Sequence, residues 1–407
     1  MKNNLRRLLI ALICAYAEDS RKYVIMSRDN NLYTSRNWFN QFGAITKEVV
    51  TCADVLERAG YVEIVSGKYF ENFKRRSRIR MTERLAQMLR GFDGQPNELY
   101  MSVSDEADLI RLKENKSKYV FYEDTEFVIE ARRKLEIYNN MMKNHTVGHA
   151  GAFCEDISVS RAALHRIFNQ DWQSGGRFYG ASYQHMRKED RRGLLLDDSP
   201  VVEIDYTATF PTLAYNIQGI DYWSERDKRL PKPMSEPYFF EGYSFLLEDQ
   251  IEQVRNLQKR MLCIHLMNAK PGVPEGQVIE TTRQALQREI NQSRAKNDAM
   301  FPTSYPYGIT LREYLERFLG VDGPHKRLDW SSIDGMFLMF VESEIAAQIM
   351  EKFTDLDKPV LIVHDSFLAK EEDKDLLEET MKSAWADAVA KYGKEGSKGF
   401  RCEYKVL

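Results

Sequence analysis

The chain has 407 residues, of which 43% are hydrophobic, 12% aromatic and 29% charged. That suits two or three domains, or one large domain with an appended module, and is the composition of an ordinary globular protein. A formal net charge of −3 excludes a uniformly basic nucleic-acid coat. The charge is nevertheless uneven: residues 1–100 carry 17 Lys/Arg against 11 Asp/Glu, so the acidic excess lies wholly in the remainder.

Five cysteines (Cys14, Cys52, Cys154, Cys263, Cys402) are scattered without a C-x-x-C. They make neither a disulfide framework nor a zinc site, and they suit a reducing cytoplasm. Residues 1–17, with early cations, L-L-I-A-L-I-C-A and A-Y-A, imitate a secretory signal. They read better as a first amphipathic helix. No stretch is long and apolar enough to span a membrane, and no membrane partner is expected.

In chain order, residues 1–95 read as a small winged-helix-like domain. Helices are predicted at Leu5–Ala17, Thr34–Phe42 and Thr46–Ala59, the last stopped by Gly60. Tyr61–Val65 and Ser77–Met81 alternate as two strands, and Thr82 caps a helix to Leu89. Lys74, Arg75, Arg76, Arg78 and Arg80 crowd the hairpin, a cluster suited to phosphates. A small helical domain with a solvated basic hairpin, or a protein-protein module, is the alternative for the same residues. Gly91–Tyr100 reads as a linker. Residues 96–170 read as a mainly helical connecting or thumb-like region, with a polar hairpin, a helix at Glu126–Lys143 and another at Ser158–Phe168.

The chemistry is expected in residues 171–407. Gly175-Gly176-Arg177-Phe178-Tyr179 offers a close backbone approach beside a guanidinium that can grip phosphate, although a tight turn explains it equally. Val201–Ile204 is an apolar run that ends in Asp205, followed by Tyr206, Thr207 and Phe210. Val360–Val363 is a second such run, ending in His364-Asp365-Ser366-Phe367. Two strands that each deliver an acid are what a two-metal site needs, provided one sheet brings them together. Between them, Arg255 and Lys259 lie four apart on one predicted helix face, a spacing that can grip a triphosphate or simply face solvent.

Taken in order, these motifs resemble those of the single-subunit polymerases, meaning family A DNA polymerases and the phage RNA polymerases. The resemblance covers roughly residues 165–395, through G-R-F-Y, D-Y-T, R-x-x-x-K-R and H-D-S-F. It implies an α+β fold: a right-hand palm, an antiparallel sheet with helices, plus helical fingers. It implies a compact primase-polymerase that adds nucleotides to a 3′-OH and releases pyrophosphate. Asp205, Asp365 and the Tyr206 carbonyl would hold two Mg²⁺ ions, with Mn²⁺ able to substitute. Asp205, Asp365 and Lys259 would be catalytic. Arg255, Lys259, Arg260, Tyr206 and Phe210 would bind the nucleotide (NTP or dNTP). Arg177, Tyr179 and His364 would touch template or primer, with Arg75, Arg76 and Arg78 adding contacts to DNA.

Two departures stand out: Met267-Asn268 replace the Tyr-Gly that ends the family's helix motif, and Phe210 stands where its DNA polymerases carry Glu. The expected partners are DNA template and primer, with a replication accessory protein or helicase. Alternatives are an RNA polymerase, a template-independent terminal transferase, or a DNA-binding replication initiator or repressor with an inactive palm.

Overall fold

The computed structural model describes residues 19–26, 48–70, 73–75, 77–89, 109–114, 118–150, 163–225, 236–238, 248–296, 300–303, 305, 308–320, 324–397 and 399–407, with parts of 5–16. It is mixed α+β. The chain divides into two compact units: unit 1 holds residues 1–111, 123–165 and 180–198, and unit 2 holds 112–122, 166–179 and 199–407. The expected domain at 1–95 thus falls inside unit 1, while the expected 96–170 region is shared between the two. The expected helix Thr34–Phe42, the linker and residues 158–162 lie outside the described residues.

In unit 1, strands β1 (Val24–Ile25), β2 (Val62–Val65) and β5 (Arg78–Met81) form a sheet in the order β1-β5-β2. The helix α1 (Glu48–Arg58) leads into β2, and α2 (Glu83–Leu89) follows β5. A short hairpin, β3 (Lys68–Phe70) with β4 (Phe73–Arg75), connects the two long strands. The core is built from Leu8, Leu12, Val49, Ala53, Ile79 and Leu85, so the apolar face of the first helix is committed to packing. The helix α3 (Glu126–Met142) starts where the Thr125 hydroxyl accepts from the Val128 amide at 3.3 Å. Its buried residues Val128, Ala131, Leu135, Tyr138 and Met142 recur every three or four positions.

Unit 2 carries the elements expected to hold the chemistry. Strands β6 (Ile110–Lys113, which enters the unit at Leu112) and β7 (Tyr119–Val120) are the predicted polar hairpin. They share a sheet with β9 (His165–Asn169) and β10 (Asp171–Tyr179), in the order β10-β9-β6-β7. A helix was expected through Phe168, but His165–Asn169 is a strand: Arg166 and Phe168 alternate inward, a period of two that the upstream Ala-Ala-Leu disguised. Gly175 and Gly176 lie inside β10 rather than in a tight turn, with φ of +80° and +81°.

The second sheet of unit 2 centres on β12 (Ser199–Tyr206). It pairs antiparallel with β14 (Ser366–Lys370) on one side and β15 (Tyr404–Val406) on the other, and β14 pairs antiparallel with β13 (Val360–Val363). Every residue of β13 is buried, as its unbroken apolar run requires. The packed helices are α4 (Thr209–Ile217), α5 (Glu248–Asn268), α6 (Glu275–Ala295), α7 (Leu311–Leu319), α8 (Gly335–Asp355) and α9 (Lys374–Tyr392).

The long helix α8 lies against β10. A Cβ on Gly176 would stand 2.7 Å from Ser343 Oγ and 2.8 Å from the Phe168 ring, so this close approach requires glycine. Arg166 seals the contact: its Nε donates to the Gly176 carbonyl at 2.8 Å, and its Nη2 donates to Ser343 Oγ and to Glu344, both at 3.0 Å. Gly176→Ala combines a strained backbone conformation with overpacking. It should lower unfolding free energy by roughly 2–4 kcal/mol, measured by denaturant titration.

Candidate active site

The two acids meet because β12 and the β13–β14 hairpin are neighbours in one sheet. Asp205 lies across from Ser366, and the Tyr206 amide donates to the Asp365 carbonyl at 3.2 Å. Val363 pairs with Ser366, so His364-Asp365 is a two-residue hairpin loop. His364 takes φ +60°, as primed hairpin turns demand at their first central position, where glycine is usual. That conformation costs a non-glycine residue on the order of 1 kcal/mol.

Both acids line one cavity of about 260 Å³. Asp365 is oriented by Thr209, whose hydroxyl donates to Oδ2 at 2.6 Å. Asp205 is 19% exposed and pairs with Lys405 of β15, Nζ to Oδ2 3.3 Å. Ala208, in the left-handed region at φ 55°, turns the chain out of β12 so that α4 begins at the cavity wall. Glu203 shares the Asp205 face two residues earlier but is buried, accepting from the Ser366 hydroxyl at 2.6 Å.

The helix α5 adds Arg255, Lys259 and Cys263 to the lining, at i, i+4 and i+8 on one face. Arg255 Nε donates to Glu236 at 2.9 Å, forming an ion pair. The buried Tyr238 ring lies under both cations, 5.8 Å from the Arg255 guanidinium carbon and 5.7 Å from Lys259 Nζ. Among the described residues Lys259 is paired with no carboxylate. Arg260, one position on, points instead to Glu289 of α6 at 2.8 Å and does not line the cavity. The expectation that it grips a nucleotide therefore has no support from its position: a one-residue step rotates it by about 100° round the helix.

On the β10 side, Arg177 lines the cavity but its guanidinium is bound in a two-point pair with Glu342 of α8, at 2.6 and 2.9 Å. The Arg177 side chain is 18% exposed and Glu342 3%. Burial pushes the Glu342 carboxyl up to about 7; Arg177 pulls it down, and the Asp365 charge pushes it further up. Arg177 also stands over the Phe210 ring, 5.3 Å from its centroid. It is thus a wall residue held by a carboxylate, where the sequence suggested a contact to nucleic-acid backbone.

Tyr206 presents main chain to the cavity: its phenol is buried in the core, donating to the Met381 carbonyl at 2.5 Å. A nucleotide contact through that ring is excluded, whereas its carbonyl stays compatible with a metal. Tyr179 does not line the cavity; its ring packs on His364, centroids 6.0 Å apart.

The basic hairpin lies in unit 1. Arg78 and Arg80 both stand over the Tyr23 ring at 5.0 Å, and Arg80 also donates to Glu63 at 2.8 Å. Arg75 is on β4, and Arg76 lies outside the described residues.

No protein-family model matches the chain, and no characterised protein matches it in sequence. Among the described residues, no helix is long and apolar enough to cross a membrane, and no group of three or more His, Cys, Asp and Glu gathers as a metal cluster. Among the lining residues the expected ligands, Asp205, Asp365 and the Tyr206 carbonyl, are all hard oxygens, and Glu236, His364 and Cys263 line the cavity beside them. The oxygen set fits Mg²⁺ or Mn²⁺, ions that commonly keep water or substrate oxygens as their other ligands. Sequence reasoning missed Thr209, Glu236, Tyr238, Glu342 and Lys405 as parts of this site.

Proposed function

We propose that unit 2 is the palm and fingers of a template-directed nucleotidyltransferase, a DNA polymerase with primase capacity that works on a DNA template in the cytoplasm. The observation that carries this reading is the joining of Asp205 and Asp365 at adjacent strand ends, with Arg255 and Lys259 on the same cavity. The strained turn at His364 adds support, since such a conformation persists where function needs the neighbouring acid presented.

Asp205, Asp365 and the Tyr206 carbonyl would hold two Mg²⁺ ions, which when bound supply Lewis-acid charge for the attacking 3′-OH and the leaving pyrophosphate. The chain's own residues do the rest. Arg255 and Lys259 take the triphosphate oxygens as charged donors, and Glu236 is the carboxylate Arg255 exchanges for phosphate. Lys259 is the general acid that delivers a proton to the departing pyrophosphate. Tyr238 presents its face to both cations and fixes the height of the grip. Phe210, braced by Arg177, walls the side of the cavity nearest the sugar. The basic strands of unit 1 would bind duplex or single-stranded DNA, and an accessory protein or helicase is the natural further partner.

The test is incorporation of labelled nucleotides with Mg²⁺ on single-stranded and primed DNA, with ribonucleotides and deoxyribonucleotides in separate arms. A ladder of template-length products with deoxyribonucleotides is the expected result. Ribonucleotide products alone would favour an RNA polymerase, which H-D-S-F and Lys259-Arg260 also suit. Products without template would indicate tailing, and none in any arm would overturn the reading.

A further inference from the structure

The cations lining the cavity divide by their partners. Arg177 is bound to Glu342 and Arg255 to Glu236, acids that belong to the wall. Lys405 alone among them is bound to one of the two acids at the strand ends. The arrangement is built into the sheet. Asp205 and Lys405 are directly opposed across the β12–β15 ladder, so both side chains leave the same face a few ångströms apart. The pairing of β15 is anchored on either side: the Thr207 amide donates to the Glu403 carbonyl at 2.7 Å, and the Leu407 amide donates to the Glu203 carbonyl at 2.9 Å. The backbone at Lys405 is fixed by this ladder, while its side chain, 48% exposed, can swing the ammonium on four carbons.

We propose that Lys405 is a resident counter-cation of Asp205 that competes with a divalent ion for the carboxylate and so sets the metal concentration at which the site fills. The idea rests on the reading of Asp205 as a metal ligand. Its physics is simple. A carboxylate at the end of a hydrophobic strand is costly to leave uncompensated, and the ammonium neutralises it when no metal is present. A divalent ion on the same oxygens meets the ammonium as a like charge, so binding requires the side chain to leave. An arriving triphosphate offers the displaced ammonium a new anionic partner in the same cavity, which couples metal binding to nucleotide binding.

The experiment is Mn²⁺ binding without nucleotide, read from the electron paramagnetic resonance signal of free Mn²⁺. Lys405→Met keeps the stem and removes the charge. It should tighten Mn²⁺ binding by about two- to fivefold, the range set by a half-exposed ion pair. Lys405→Arg should restore the wild-type affinity. In an Asp205→Asn background, Lys405→Met should change nothing, because the carboxylate it competes for is gone. Unchanged or weaker binding by Lys405→Met, with wild-type binding that depends on Asp205, overturns the role of Lys405 and leaves the metal site standing. Wild-type protein that binds no Mn²⁺, or binds it equally after Asp205→Asn, overturns the metal-site reading and this inference with it; Lys405→Gln provides a second charge-removing variant if the methionine disturbs β15.

Discussion

Asp365→Asn should reduce nucleotide incorporation by on the order of a thousandfold or more, because it removes half of the charge that can hold a divalent ion while keeping the side chain's shape. The fold should survive. Asparagine can still accept the Thr209 hydroxyl, now 2.6 Å from Oδ2, and the backbone bond from the Tyr206 amide to the residue 365 carbonyl is untouched. Asp205→Asn should be equally damaging, since its carboxylate lies across the ladder from Ser366 on the neighbouring strand. Thr209→Val supplies the graded control: both acids remain, but Asp365 loses its orienting donor, and a loss of roughly tenfold is expected from one hydrogen bond to a charged group. Single-turnover extension with the three variants makes the comparison. Wild-type activity in Asp365→Asn would remove this acid from the chemistry.

The parts of the site that were legible in the sequence are those that periodicity controls. Two short apolar runs of β-branched and aliphatic residues ending in Asp205 and Asp365 suit strands with an acid at the tip, and R-x-x-x-K on a helix shares one face. Cys263 follows by the same rule one turn further on, and the rule also removes Arg260. The partners were not legible, because each comes from an element far away in the chain. Glu236 and Tyr238 belong to a short turn, Glu342 to a helix that reads as core, and Lys405 to a three-residue strand too brief to leave a pattern. Arg177 shows the limit most clearly: G-G-R suggests a guanidinium offered to a ligand. Only the packing of β10 on α8 reveals that Gly176 serves a close approach to Ser343 and that Arg177 is bound by Glu342. The misread helix ending at Phe168 has a similar cause, since H-R-I-F-N is too short for its two-residue period to outweigh the helix formers before it.

Glu342 should contribute about 3 kcal/mol of stability that is lost as pH rises from about 5 to 8. Set against it is an opposite gain up to about pH 6.5 from the buried His265 and His325, which burial holds down to about 4 and about 3. The Glu342 carboxyl has an ordinary value of 4.5 when unfolded and about 7 in the folded protein, chiefly because it is buried. Between those values the folded protein keeps a proton that the unfolded chain has released. Raising the pH therefore penalises folding progressively, and the full penalty is reached above pH 7. Glu342→Gln should remove this component, so the stability difference between wild type and variant, read from denaturant midpoints, should change by about 3 kcal/mol between pH 5 and 8; a constant difference would show that Glu342 is ionised throughout. The neighbouring charges make the signs separable. Arg177 holds the carboxyl down, so Arg177→Met should extend the loss of stability to higher pH. Asp365 pushes it up, so Asp365→Asn should shift the fall to lower pH and shrink it. The substitution expected to abolish incorporation should thus also leave a mark on the folding equilibrium, one that reports whether Asp365 shares its electrostatic field with the buried pair behind it.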